Sequence, residues 1–211
     1  MIILVCGKKQ VGKDTFFNIM DIAYPEKYTR MKFAKHIYDA AEVVFGYKIT
    51  EENKERVDNL LGITPRKWMQ EHGDMMKRLC GKDIFPSILV ENTISKNIIV
   101  TDCRFQEEID YLKVAYGSEV VSIKINRPAQ ISIDEHISEK LDIKTDYIID
   151  NNSDMNTYIQ KVKELMCKIE FDMELYYTLK NALIKMKAIK ENTEPIEMKP
   201  RITEYRPVGK K

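Results

Sequence analysis

The run Gly7-Lys8-Lys9-Gln10-Val11-Gly12-Lys13-Asp14-Thr15 puts glycines, lysines and a hydroxyl at spacings suited to holding an anion. Gly7 and Gly12 permit backbone that turns its N–H groups inward, which makes a concave nest for phosphate oxygens. A helical pattern with Phe16, Phe17, Ile19 and Met20 follows at once, so the positive end of a helix dipole faces the same nest. Lys13 supplies a mobile point charge for a phosphoryl group in transit. Thr15 is placed to hydrogen-bond a phosphate from the first helical turn. Gly7, Lys9, Gln10, Val11, Gly12, Lys13, Asp14 and Thr15 are therefore expected to cradle the phosphates of a nucleotide. In the strict form of this loop a Ser or Thr hydroxyl follows the lysine and reaches Mg²⁺. Asp14 stands there instead, and a carboxylate can hold Mg²⁺ through a coordinated water because that ion keeps much of its hydration shell.

Three further stretches could serve a second ligand. Val100-Thr101-Asp102-Cys103-Arg104 reads as a strand that ends on charged residues. In a parallel sheet, ligands sit beyond the carboxyl ends of the strands. Asp102 could then organise the waters of Mg²⁺, and Arg104 could clamp an acceptor phosphate. In Thr64-Pro65-Arg66-Lys67-Trp68-Met69-Gln70-Glu71-His72-Gly73 the cations of the first turn oppose the helix dipole unless an anion lies nearby. Arg66, Gln70 and Gly73 share one helix face, and a glycine inside a helix costs about 1 kcal/mol against alanine, which marks a close approach. That face could take an acceptor phosphate on Arg66 and its base on Gln70. Trp68 reads as core. The connection from Arg127-Pro128 to Lys144 is long enough for a lid over about 127–145, with Arg127, Lys140 and Lys144 available to fold over phosphates. Asn151 could meet the base of the donor nucleotide, with a turn as the simpler alternative.

The elements that must position these residues are legible as short β-type runs alternating with helical patterns. The runs are Ile2 to Cys6, Ile98 to Asp102, Glu119 to Ile125 and Asp146 to Asp150, with Tyr28 to Phe33 as a weaker one. Ile98-Ile99-Val100 and Val120-Val121 suit strands buried on both faces. The β-α-β-α-β order predicts an α/β fold, a parallel sheet with right-handed crossovers and helices on both sides. Thr64 with Pro65 predicts a helix start and Gly81 its end after Cys80. Thr50 with Glu51 and Glu52 predicts another start, and Ser132 with Glu135 a short helix through Leu141. A longer helix is expected from about Met155 to Phe171, with continuation through Met186. Residues 1–190 are thus expected to form the domain and 191–211 an extended basic tail with Pro195, Pro200 and Pro207.

Bulk properties exclude several classes. A length of 211 residues, 44% hydrophobic and 32% charged, suits a globular domain, and a net charge of +1 lacks the excess of a dedicated nucleic-acid binder. Cys6, Cys80, Cys103 and Cys167 are scattered without ligand spacing, so reduced thiols and a cytoplasmic location are expected. The apolar start is too short for a signal sequence, and no stretch reaches membrane-spanning length.

Taken together, Val5-Cys6-Gly7 through Thr15, Phe33-Ala34, Pro65 to Gly73, Thr101-Asp102-Cys103-Arg104, Asn126-Arg127-Pro128, His136-Ile137-Ser138-Glu139 and Ile149-Asp150-Asn151 resemble the phage-type deoxynucleoside monophosphate kinases. The resemblance spans residue 1 to about residue 167. It implies a three-layer P-loop kinase fold on a five-stranded parallel sheet, with a short lid and a helical C-terminal extension. It also implies ATP-dependent phosphorylation of a deoxynucleoside monophosphate (dNMP) with Mg²⁺. Lys13, Arg104 and Arg127 would then carry catalysis. Arg66, Gln70, Gly73, Asp102 and Arg104 would bind the acceptor, and Asp14 and Asp102 would face the metal through water. Phosphomevalonate kinases share the Gly-Lys-Asp loop and the Asp-x-Arg pair. A nucleotide-hydrolysing switch and an inactive scaffold are the readings from other classes. A homodimer is compatible with the sequence.

Overall fold

The computed structural model describes residues 1–92, 97–127 and 143–191. In chain order the elements are β1 (Ile2–Cys6), α1 (Lys13–Ala23), β2 (Thr29–Met31), α2 (Lys35–Phe45), α3 (Pro65–Cys80), α4 (Ile84–Asn92), β3 (Ile98–Cys103), α5 (Gln106–Tyr116), β4 (Val120–Asn126), β5 (Tyr147–Asp150) and α6 (Met155–Glu191). All strand pairings are parallel, in a five-stranded sheet of order β2-β3-β1-β4-β5 flanked by helices. This is the α/β architecture that the alternating pattern predicts.

Side-chain alternation divides the sheet's faces. Ile2, Leu4 and Cys6 of β1 pack in one cluster with Ile98 and Val100 of β3, Ile37 of α2, Phe85 and Leu89 of α4, and Ile109 and Leu112 of α5. Ile3, Val5 and Ile99 alternate to the other face. The crossovers from β1 to β2 and from β3 to β4 run in opposite directions along the sheet, so right-handed connections put α1 and α5 on opposite faces. The β1–β3 pairing slips after Leu4↔Val100, and the next pair is Cys6↔Cys103. The extra residue in β3 is a bulge, a device that re-aims side chains beside sites. It returns Cys103 to the cluster that holds Val100.

The helix from Thr64 to Gly81 forms as predicted. Thr64 Oγ1 accepts from the Lys67 N–H at 3.1 Å, Pro65 opens the helix, and Gly81 caps it at φ 102°. Trp68 packs beside Ala41, Phe45 and Ile49, which makes it core as expected. The helix expected after Thr50 is not there; residues 51–56 form turns. Asn53 explains this. Its side chain accepts from the Thr50 N–H at 2.8 Å and donates to the Lys48 carbonyl at 2.8 Å, a local bonding that competes with a helix.

Met1–Met166 forms one compact unit, and every site residue below belongs to it. Cys167–Lys211 forms a second, whose described part is the remainder of α6. The helix predicted from Ser132 to Leu141, most of the lid with Lys140, and the tail beyond residue 191 lie outside the described residues. No described helix is long and apolar enough to cross a membrane.

Candidate active site

The loop between β1 and α1 is held in shape by backbone geometry that glycine alone tolerates. Gly7 has φ 139° and Gly12 φ 107°. A Cβ on Gly7 would lie 2.6 Å from the Ile125 carbonyl oxygen, and one on Gly12 would lie 2.6 Å from Asn151 Nδ2. Gln10 adopts φ 62° between them. Lys13 is folded back over this curve and donates to the carbonyls of Gly7 and Lys8 at 2.6 Å each. Its ammonium thus waits above the nest, on acceptors that a phosphate oxygen can replace.

Two residues far along the chain brace the loop from β5 and α6. Asn151 Nδ2 donates to the Val11 carbonyl at 2.8 Å, and its own N–H donates to Asn126 O at 2.8 Å. The Tyr158 hydroxyl donates to the Gly12 carbonyl at 3.2 Å, and burial raises the phenol's pKa, so it stays a neutral donor. Asn151 therefore touches the loop backbone itself. Tyr158 is a contributor that carries no sequence signal.

Gln10, Gly12, Lys13, Asp14, Thr15, Arg127 and Asn151 line one cleft of about 300 Å³. Of the expected donor residues, Gly7, Lys9 and Val11 do not line it. The Val11 side chain is buried, and Lys9 pairs with Glu55 at 2.9 Å. Asp14 forms an ion pair with Arg30 of β2, a partner that the sequence does not announce.

A second cleft, of about 180 Å³, opens between α2, α3 and the carboxyl end of β3. Arg66, Gln70 and Gly73, grouped by helix spacing, and Asp102 and Arg104, expected at a strand end, all line it. Register explains Arg104. Cys6 is paired with Cys103, so the phosphate loop and Arg104 leave adjoining strands at one level. Helix geometry explains the α3 residues, since positions 66, 70, 73 and 77 follow one stripe. A stripe turned inward is normally apolar; this one carries Arg66, Gln70, Gly73 and Lys77. A Cβ on Gly73 would come within 3.2 Å of Ile37 Cδ1, so the glycine lets α3 approach α2 beside the cleft. Phe33, Tyr38, Phe85 and Phe105 give the cleft aromatic walls.

Asp102 is deeply set in this second cleft. Its Oδ1 accepts from the Phe33 N–H at 2.9 Å and its Oδ2 from the Ala34 N–H at 3.0 Å. It thus ties the corner between β2 and α2 to β3. Burial pushes its pKa upward against the pull of those amides and of Arg104. Among the residues expected to face the metal, Asp14 lines the loop cleft and Asp102 the other. Among the described residues no cluster of carboxylates, histidines or cysteines could hold an ion by itself. A magnesium that keeps most of its waters needs only one or two carboxylates beside the phosphates it accompanies, and Asp14 meets that need.

No family model matches this chain, and no curated protein matches it. Solved structures that resemble it include a shikimate kinase from Aquifex aeolicus, 15% identical, with a TM-score of 0.44 over 82% of this chain and 98% of that one. A gluconokinase from Sinorhizobium meliloti is 10% identical, with a TM-score of 0.41 over 83% of this chain and 95% of that one. A shikimate kinase from Bacteroides thetaiotaomicron is 12% identical, with a TM-score of 0.40 over 81% and 98%.

Two charged residues of the second cleft, Lys77 and Glu108, have no counterpart in the sequence reading. Lys77 continues the 66-70-73 stripe by one turn, and that spacing is the signal by which it could have been found. Its ammonium lies 3.0 Å from the centre of the Phe105 ring and 4.0 Å from Glu108, and burial lowers its pKa. Glu108, 3% exposed, accepts from the N–H groups of Arg104 at 2.8 Å and Phe105 at 3.1 Å. Burial raises its pKa to about 7, although those amides and Lys77 oppose the shift. Lys54, whose charge in the sequence could as readily serve the site as lie on a solvated face, is 7% exposed and lines the cleft beside its partner Glu51. Glu55 links the phosphate loop to the second cleft: one oxygen, Oε1, accepts from Lys9 at 2.9 Å and from Arg66 Nε at 2.5 Å.

Proposed function

We propose that the protein transfers the γ-phosphoryl group of ATP to a deoxynucleoside 5′-monophosphate, giving ADP and the diphosphate. The observation that carries this reading is the pairing of two clefts. One is built on a glycine-lysine phosphate loop. The other combines Arg66, Arg104 and Lys54 with aromatic walls and the amide of Gln70. Cations suit an anionic acceptor, and a flat cleft with an amide suits a nucleobase.

The chemistry asks little of the protein beyond position and charge. An acceptor phosphate has its second pKa near 6 and is already anionic at neutral pH, so its oxygen attacks without a general base. A bond forms from that oxygen to the γ-phosphorus, and the bond to the β–γ bridging oxygen breaks to release ADP. Lys13 follows the phosphoryl group in transit, Arg104 neutralises the acceptor side, and Arg127, at the rim of the loop cleft, closes the charge from the donor side. Mg²⁺, when bound with ATP, would withdraw charge from the phosphates, and Asp14 would hold it through water. Asp102 would reach such waters from the acceptor side while keeping the Phe33–Ala34 corner in place.

The test is a coupled ADP assay over deoxynucleoside monophosphates, ribonucleoside monophosphates and phosphomevalonate, with ATP and Mg²⁺. Acceptor-dependent ADP formation with a deoxynucleotide is the expected result. Turnover with phosphomevalonate alone would replace the acceptor, and ADP formation without any acceptor would make the protein a hydrolase.

A further inference from the structure

A hydroxyl after the loop lysine would be neutral; Asp14 is not. A carboxylate there lies beside the phosphates of any nucleotide the loop holds, and like charges at such range repel. The helix N-terminus cannot offset both, because the phosphates draw on the same dipole end. The structure supplies a separate counter-charge. Arg30, on the edge strand β2, pairs with Asp14 Oδ1 through Nη2. The guanidinium is fixed independently of Asp14. Its Nε and Nη2 donate to Thr101 Oγ1 at 3.3 and 3.2 Å, and its carbon lies 5.3 Å from the centre of the Phe17 ring. Thr101 is 2% exposed, so the anchor is interior. The Asp14 side chain is 73% exposed against 30% for Arg30, which makes Arg30 the fixed member of the pair.

We infer that Arg30 is a positioning residue that neutralises Asp14, and that this compensation lets a carboxylate replace the hydroxyl in a working phosphate loop. The inference rests on the reading of the loop as a nucleotide site. It assigns Arg30 no contact with reacting atoms, so its contribution exists only because Asp14 does. Substitutions at the two positions must then be strongly non-additive.

The experiment is a double-mutant cycle read by calorimetric binding of a non-hydrolysable ATP analogue to the full chain, with and without Mg²⁺. Arg30→Gln should weaken binding by about tenfold or more where Asp14 is retained. In the Asp14→Ser background, Arg30→Gln should then have little further effect. Arg30→Lys, which keeps the charge, should retain most of the affinity. Thr101→Val, which removes the anchoring hydroxyl at similar volume, should give part of the Arg30→Gln loss. Equal losses from Arg30→Gln in both backgrounds would overturn the inference, since Arg30 would then act on the nucleotide directly. Absence of binding by the unsubstituted chain would overturn the nucleotide reading and this inference with it.

Discussion

Asn151, just after β5, donates its side-chain amide to the carbonyl of Val11, 140 residues earlier in the chain, and so fixes the phosphate loop from the far side of the sheet. Removing the donor strands an interior carbonyl. Asn151→Ala should therefore lower stability by about 1–3 kcal/mol in urea unfolding and weaken binding of an ATP analogue as well. Gly12→Ala should do both more severely, because its Cβ would strike that same amide at a backbone angle alanine rarely adopts. A Gly12→Ala protein with unchanged unfolding midpoint and nucleotide affinity would show that this brace is idle.

Lys13 makes its hydrogen bonds to the loop's own carbonyls, so its loss removes charge from the phosphoryl path without opening the core. Lys13→Ala should lower turnover by roughly 10²–10³ while the circular dichroism spectrum and melting temperature stay close to those of the parent chain. Intact phosphoryl transfer in that variant would remove Lys13 from the mechanism.

The fold was the most legible part of the sequence because its signals are local. β-branched runs name the strands, Thr64-Pro65 and Gly81 bound α3, and one helix period gathers Arg66, Gln70 and Gly73. The grouping of residues in the second cleft was legible for the same reason, since a single period and one strand end supply them. What escaped was pairing across the fold. Arg30 meets Asp14 because α1 packs on β3 and β2 lies next to that strand, and neither residue's neighbours in sequence say so. Glu108 reads as an ordinary N-terminal helix charge until the cleft buries it. Asn53, bonded back to Lys48 and Thr50, lies where turns replace the expected helix.

Arg66 and Arg104 stand in the second cleft, the proposed acceptor site, so their loss should be felt by the acceptor first. Arg66→Ala should raise the acceptor KM by about tenfold or more and leave the ATP KM within about threefold, in steady-state assays with each substrate varied. Arg104→Ala should also depress kcat, because the proposed mechanism sets its charge beside the phosphoryl group in transit. Equal effects of Arg66→Ala on both KM values would place Arg66 outside a dedicated acceptor site.

Glu108 gives a pH signature of definite sign. Its folded pKa of about 7 lies above its ordinary value of 4.5, so between those values the folded protein holds more protons than the unfolded chain. Stability must then fall as pH rises from 4.5 to about 7 and level off above, by on the order of 3 kcal/mol in all. Glu108→Gln keeps an oxygen for the Arg104 and Phe105 amides and should flatten that segment of the stability profile. Parallel profiles for the two proteins from pH 4.5 to 7 would show that Glu108 is already ionised in the fold.

The packing of Trp68 has an optical consequence. It is the chain's one tryptophan, set on the same helix as Arg66 and Gln70, stacked on His72 with ring centres 4.7 Å apart and edge-on to Phe45 of α2 at 6.2 Å. Its ultraviolet emission therefore comes from one known place, the seam between α2 and α3 behind the acceptor cleft. A ligand that shifts those two helices against each other will change the colour or brightness of that emission, so the protein carries its own dye, already attached to the half of the cleft whose occupant most needs identifying.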